Sequence, residues 1–510
     1  MSASDELWIG IDVGTQSVKV SVVDGAGALR AAAGSPLHSI REKHAGGDRH
    51  EQDPQQWISA TREALGDALQ GIGPSEKSQI GGMAVCSTSG SITLVDAEGR
   101  PVSTGIMYDD ARAGELSAEV AAADPGLWAR LGYRIQPTWA LPKILWLERN
   151  RLLDSAPETP HYVAHQADVV ASALVGHRVA SDWSHSLKSG YDLLEEHWPT
   201  LALQHLGIDP EVLPVVVPPG TVLGNTSSSL TATTGVPTGV PVFAGMTDGC
   251  AAQLGAGAIG LGDWHTVIGT TMVMKSVSTQ LVFDDAGAVY SHRSPEAARW
   301  LPGGASNVGA GILTTLFPGA QLDELTSAVA ARYDHRTADL PFSYPLPGVG
   351  ERFPVVAPQA RGFVSSNGQD HPIDEAIEHL GQTAAYAAIL VGVACVERLA
   401  LEQLARAGAA TTGTISSSGG GTRNAWWVQL RADLIGREIT VSSTADGSTG
   451  MAILAAWAGQ SQPEVPLASI ASTMSHSEIT YRPNAERSVE LETVYRTFLA
   501  AVTNRGWIAP

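Results

Sequence analysis

Cysteine is scarce in this chain: Cys86, Cys250 and Cys395 are the three in 510 residues, far apart and without Cys-x-x-Cys spacing. That excludes a disulfide framework and a structural zinc knot and fits a reducing compartment. Basic residues are also few. Lys plus Arg is 32 against 52 for Asp plus Glu, a formal charge of −20. A nucleic-acid backbone or an anionic membrane is a poor main partner for such a surface, whereas an anionic small substrate is not excluded. The N-terminus, Met1-Ser2-Ala3-Ser4-Asp5-Glu6, has no basic region and no long apolar run. The apolar stretch from Ala384 to Cys395 is shorter than the ~20 residues a membrane span needs. The expectation is a soluble cytoplasmic protein.

What is abundant is apolar and flexible: 44% hydrophobic residues, 54 glycines and 29 prolines. That much apolar surface packs rather than staying disordered. The length exceeds the ~250–300 residues at which one core divides, so at least two domains are expected.

Leu7 to Val13 and Val18 to Val23 read as strands around a Gly-Thr-Gln-Ser turn, and Asp24-Gly25 leads to a third extended run. A dinucleotide fold would place a helix after the first glycine-rich turn; here a strand follows. Asp53-Pro54 starts a helix carrying Trp57, Ile58, Thr61, Ala64, Leu65, Ala68 and Leu69 at helical spacing. Ile80 to Val85 is a buried strand, and Ile92 to Val95 is expected to pair with it. Pro210 to Pro241, rich in Pro, Gly, Ser and Thr, looks like the approach to a domain boundary. The pattern then restarts: Pro241 to Gly245, Trp264 to Ile268 and Met272 to Val277 read as strands. Thr414 to Ser418 is a strand before a glycine run, and helices follow at Asn424 to Ile435 and Gly447 to Gly459.

Chemistry concentrates in the turns. Asp12-Val13-Gly14-Thr15-Gln16-Ser17-Val18-Lys19 puts an acid at a strand end, able to hold magnesium through water. Its Gly-Thr-Gln-Ser run offers donors to a phosphate; an ordinary hairpin turn is the other reading. Gly269-Thr270-Thr271 repeats the device, and two such turns could clamp a triphosphate. Ser417-Ser418-Gly419-Gly420-Gly421-Thr422-Arg423-Asn424 exposes bare backbone before a helix N-terminus, which favours anions. Asp248, in Gly245-Met246-Thr247-Asp248-Gly249, is either a helix N-cap or a base for a substrate hydroxyl. His38, His44 and His50 read as solvated. His161 and His165 could chelate a metal but lack a third ligand. His185 and Lys188 are as well explained by a surface role.

Taken in order, these pieces resemble the FGGY family of carbohydrate kinases over nearly the whole chain. Added matches are Tyr108-x-Asp110-x-Arg112, Lys143-Ile144-x-Trp146-Leu147, Gly350-Glu351-Arg352-x-Pro354 and Gln429-x-x-Ala432-Asp433. The resemblance implies an α/β protein of two actin-like (ribonuclease H-like) domains with a deep interdomain cleft: a sugar-binding domain over 1–243 and an ATP-binding domain over 244–510. It implies ATP and Mg²⁺ as cofactors. Asp12 would position the metal. Gly14, Thr15, Gln16, Ser17 and Lys19 would lie near the transferred phosphoryl, and Gly269, Thr270 and Thr271 near the polyphosphate. Gly419, Gly420, Gly421 and Asn424 would lie near adenosine. Asp248 would be the catalytic base, with Ser87, Asp110, Arg112 and Asp248 facing the sugar. The partners expected are a small sugar and ATP, with neither nucleic acid nor membrane and with a homodimer as the candidate assembly.

Two departures bear on the sugar. Many xylulose kinases of the family carry Gly-Gln-Met-His-Gly where this chain has Cys86-Ser87-Thr88-Ser89-Gly90-Ser91. The run Ser181-Asp182 to Leu187-Lys188-Ser189-Gly190-Tyr191-Asp192 is similar to ribulose-kinase-like members. D-ribulose is therefore placed ahead of D-xylulose. Gluconate or glycerol phosphorylation, or an ATP-binding protein of the same fold without sugar turnover, are the alternatives.

Overall fold

The structure is a computed structural model that describes residues 6–153, 159–296, 298–319, 322–334, 337–366, 368–442, 445–460, 465–476 and 479–508. The chain divides into two compact units. One comprises Met1–Ile259, His292–Arg299 and Thr444–His476; the other comprises Gly260–Ser291, Trp300–Ser443 and Ser477–Pro510.

The first unit is built on a six-stranded sheet, in the order Val222–Asn225, Pro241–Phe243, Ile80–Ser87, Leu7–Val13, Ser17–Asp24, Leu29–Pro36. Leu7–Val13 is central and almost wholly buried, which is why it reads as a continuous apolar run rather than an alternation. It pairs antiparallel with Ser17–Asp24, Asp12 opposite Lys19, and parallel with Ile80–Ser87, Asp12 opposite Cys86. Helix Pro54–Gln70 covers one face. Asp53 caps it by accepting from the Gln55 N–H at 2.9 Å, and Trp57, Ala64, Leu65 and Leu69 are buried. Helix Gly447–Ala458, from far along the chain, also packs on the Leu7–Val13 strand.

One expectation is corrected here. Ile92–Val95 does not pair with Ile80–Ser87. Gly90, at φ 96°, turns the chain away, and Ile92–Val95 joins a five-stranded sheet between Gly105–Ile106 and Tyr162–His165. The segment from Pro210 to Pro241 lies inside the first unit, where its strand Val222–Asn225 edges the first sheet.

In the second unit a sheet contains, in order, Trp300–Ser306, Met272–Ser276, Trp264–Ile268, Ile415–Ser418, Ile439–Val441 and Ile479–Tyr481. Beside it lies a three-stranded sheet formed by Phe342–Glu351, Ala357–Ser366 and Gln369–Pro372. Helix Gln382–Arg406 runs through this core. At 25 residues it is long and apolar enough to cross a membrane by length and composition, yet 94% of its most apolar window is buried in the protein. The apolar stretch is thus longer than the sequence reading allowed, and it is a core helix.

Candidate active site

Three acids converge in the first unit. Asp12 ends the central strand, Asp248 opens helix Asp248–Gly255, and Asp446 precedes helix Gly447–Ala458. Small residues make this possible. A Cβ on Gly450 would overlap the Ala251 carbonyl, so the two helices meet backbone to backbone. A Cβ on Gly447 would sit 2.8 Å from Asp12 Oδ2 and 3.0 Å from Cys86 Sγ, so only glycine leaves the carboxylate its room. Asp446 is committed to its helix, accepting from the Thr449 N–H and the Ser448 hydroxyl, each at 2.9 Å.

Asp12 is different. Its Oδ1 is sealed from solvent and has no hydrogen-bond partner among the described residues. Burial, then the charges of Asp248 and Asp446, push its pKa up to about 7, against the opposing pull of Lys19 and of a hydrogen bond from Cys86. Such a corner fits a cation. Among the described residues no group of three or more His, Cys, Asp or Glu side chains could hold a metal by themselves. An octahedral Mg²⁺ that keeps waters and takes phosphate oxygens needs only one or two protein carboxylates. Asp12, with its unpartnered oxygen, fits that part.

Asp248 is the first helical residue; Thr247 is the N-cap. Asp248 therefore does not occupy the N-cap position. One of its oxygens accepts from the Gly249 N–H at 2.7 Å, and the residue is half-buried. A carboxylate on a helix start, beside a second acid, is suited to take a proton from an alcohol.

The Gly14–Ser17 turn is closed by Gly14 N–H donating to the Ser17 carbonyl at 3.1 Å. Gln52 holds it from below, donating to the Thr15 carbonyl at 2.6 Å. Thr15 and Ser17 are half-buried, and Gln16 and Lys19 are exposed.

Asp110 is fully buried, and both its oxygens are taken. They accept from Arg112 N–H, Nε and Nη2 at 3.0, 2.9 and 2.8 Å and from the His50 N–H at 2.7 Å. Burial opposes its charge, but these donors hold its carboxyl below the ordinary range. Arg112 also donates to Glu51 Oε1 at 2.6 Å and lies 5.3 Å from the centre of the Trp146 ring. Lys143 is fully buried and donates to the carbonyls of Gly90 at 3.0 Å and Met107 at 2.7 Å. Burial lowers its pKa to about 7. Ser87 is buried with its Oγ 2.9 Å from His185 Nε2.

The histidines depart from the sequence reading. His50 is buried and bonded to Asp109, not solvated. His185 is buried, not on the surface, and His165 is bonded to Asp168, Ser181 and Ser189 rather than poised for a metal.

In the second unit, Gly269–Thr271 is a three-residue hairpin turn between Trp264–Ile268 and Met272–Ser276. Its carbonyls are held by the N–H groups of Ala310 and Gly311 at 2.8 and 3.2 Å. Gly419, at φ 90°, lies against the Ile268 backbone, where a Cβ would meet the carbonyl oxygen at 2.6 Å. The two glycine turns are therefore neighbours, which their separation in sequence hides. After Gly419 comes a short 3-10 turn, Gly420–Arg423, then helix Ala425–Ile435. Asn424 caps that helix, accepting from the Trp427 N–H at 3.0 Å, while its amide donates to Thr326 and the Tyr386 hydroxyl. Trp427 is buried and Trp426 bonds Asp334, so both serve packing.

Residues 7–255 match the N-terminal domain of the FGGY family of carbohydrate kinases, and residues 258–459 match its C-terminal domain. This chain belongs to the FGGY family of carbohydrate kinases. A xylulose kinase from Escherichia coli (strain K12) is 25% identical over 502 residues, spanning 96% of this chain and 98% of that protein. A gluconokinase from Bacillus subtilis (strain 168) is 23% identical over 96% of this chain and 94% of its own length. A crystal structure of a xylulose kinase from Brucella ovis superposes with a TM-score of 0.85 at 25% identity, over 98% of this chain and 99% of that one. The FGGY chain is an ATP-dependent sugar kinase with the two-domain actin-like fold of its relatives. Sequence reasoning had passed over Asp446; the signal available was an acid before a Gly-Ser-Thr helix start, the N-cap pattern also seen at Asp53.

Proposed function

We propose that this kinase transfers the γ-phosphoryl group of ATP to a primary hydroxyl of a ketopentose, with D-xylulose ahead of D-ribulose. The names of the similar proteins support xylulose; nothing in them supports the ribulose preference drawn from residues 181–192. The observation that carries the reading is Asp248, at the first position of a helix and within electrostatic reach of Asp12.

Phosphoryl transfer asks little covalent help from protein; it asks alignment, charge neutralisation and somewhere for the proton to go. Asp248 accepts the proton of the attacking hydroxyl. Arg112, oriented by Asp110 and Glu51, and Ser87 serve sugar recognition. Gly14, Thr15, Gln16, Ser17 and Lys19 meet the transferred phosphoryl, and Gly269, Thr270 and Thr271 the polyphosphate. Gly419, Gly420 and Gly421 receive the nucleoside, with Asn424 fixing the helix behind them. Asp12 would hold Mg²⁺, which neutralises phosphate charge when bound. The three cysteines are free and buried, consistent with work in a reducing cytoplasm.

The test is a coupled ADP-release assay with D-xylulose, D-ribulose, gluconate and glycerol. Highest kcat/KM with D-xylulose is expected. A preference for gluconate or glycerol would overturn the sugar assignment, and sugar-independent ADP release alone would overturn the reading.

A further inference from the structure

One turn of chain in the first unit holds both the base-bearing helix and the end of the strand beside it. Asp182 caps the short helix Trp183–Ser186, accepting from the N–H groups of Ser184 at 2.8 Å and His185 at 3.0 Å. The two residues so fixed reach in different directions. Ser184 Oγ accepts from the Thr247 N–H at 3.1 Å and lies 3.0 Å from Thr247 Oγ1. His185 Nδ1 is 2.5 Å from Asp182 Oδ2, and its Nε2 is 2.9 Å from Ser87 Oγ. Ser87 and Thr247 are themselves joined by a parallel bridge. Ser184, His185 and Ser87 are fully buried, and Thr247 and Asp182 nearly so.

Thr247 shows what the arrangement is for. An N-cap threonine ordinarily turns its hydroxyl to an N–H of its own helix, a bond worth ~1 kcal/mol. Thr247 makes no such bond; its hydroxyl and its N–H both go to Ser184. The start of helix Asp248–Gly255 is thus anchored from outside.

We infer that Ser184 and His185 are positioning residues for phosphoryl transfer: together they clamp Thr247 and Ser87 and so fix where the Asp248 carboxyl stands. Neither touches the reacting atoms. The inference rests on the kinase reading with Asp248 as base. A clamp of this kind acts on alignment rather than affinity, because displacement of a catalytic group by about 1 Å costs roughly 10²-fold in rate.

The experiment compares Ser184→Ala, His185→Gln and Asp182→Ala with the unaltered chain in two readouts. The first is amide hydrogen exchange at residues 247–251. Faster exchange is expected in Ser184→Ala while the Leu7–Val13 strand keeps its protection. The second is steady-state kinetics. A fall in kcat of about 10–100-fold is expected, with sugar and ATP KM changed less than threefold. His185→Gln retains one donor and is expected to keep more kcat than Asp182→Ala, which removes the cap from both arms. Unchanged exchange at 247–251 in both single-arm variants would overturn the clamp whatever the activity. So would a rise in sugar KM at constant kcat, which would make these ordinary binding-pocket supports. Absence of sugar-dependent ADP release from the unaltered chain would sink the kinase reading, and the exchange result would still judge the clamp.

Discussion

Asp12 and Asp110 are both acids sunk into the first unit, and they are treated in opposite ways. Asp110 has donors on both oxygens, four in all, and a guanidinium alongside; its charge is secured by the protein itself. Asp12 has an oxygen with no donor and two further acids within electrostatic reach; its charge is penalised. One is a finished piece of framework. The other is a place that the protein leaves electrostatically unfinished, which is what a site for a cation or for a polyphosphate's counterion requires.

The largest break in this comparison should come from the third acid. Asp248→Ala is expected to lower turnover by about 10²–10⁴-fold, the ordinary worth of a general base, with ATP binding retained. Calorimetric titration of ATP alongside the coupled assay checks both halves. Next, Arg112→Met strips Asp110 of two of its four donated bonds, both from the guanidinium. Removing one partner of a buried pair costs about 3–5 kcal/mol, so urea unfolding should show a loss of that order and the sugar KM should rise. Gly450→Ala should cost about 1–3 kcal/mol, because overpacking two helices in backbone contact forces them apart, and turnover should fall with the spacing of Asp446 from Asp12.

The smallest effect sharpens the contrast through pH. The Asp12 pKa is raised from 3.8 to about 7 on folding, so between those values the native chain holds a proton the unfolded chain has lost. Stability should therefore fall as pH rises through that window and level off above it. Asp12→Asn should remove this slope, gaining about 1–2 kcal/mol at pH 8 relative to pH 4, once solvent screening of a partly exposed side chain is allowed for. Asp110, with its pKa lowered, works the other way: its contribution is present above about pH 4 and is lost as pH drops through the lowered folded value. Thermal melts of the two variants, Asp12→Asn and Asp110→Asn, across pH 3–8 read both slopes.

Much of this was legible beforehand because it is local. The Asp12–Ser17 turn, the Asp53 cap, the Asn424–Ile435 helix and the strand before Gly419 are each set by residues a few places apart. The placement of short motifs was legible too, as at Asp248, which opens its helix. What stayed hidden depends on distant pairing. Ile92–Val95 has the composition of a strand, but nothing in it names its partner, and Gly90 redirects it. His50 and His185 are buried because Asp109, Asp110 and Asp182 receive them, partners that polarity alone does not reveal. Asp446 joined the site only because glycines at 447 and 450 let its helix dock against elements from the other end of the chain.

That docking has a temporal side. Helix Gly447–Ala458 belongs to the unit that starts with the N-terminal strands, so a ribosome has made nearly the whole polypeptide before that unit can close its core. At ~5–20 residues per second, the early strands wait tens of seconds with one face uncovered. A stop codon before that helix would thus damage the beginning of the protein as well as its end.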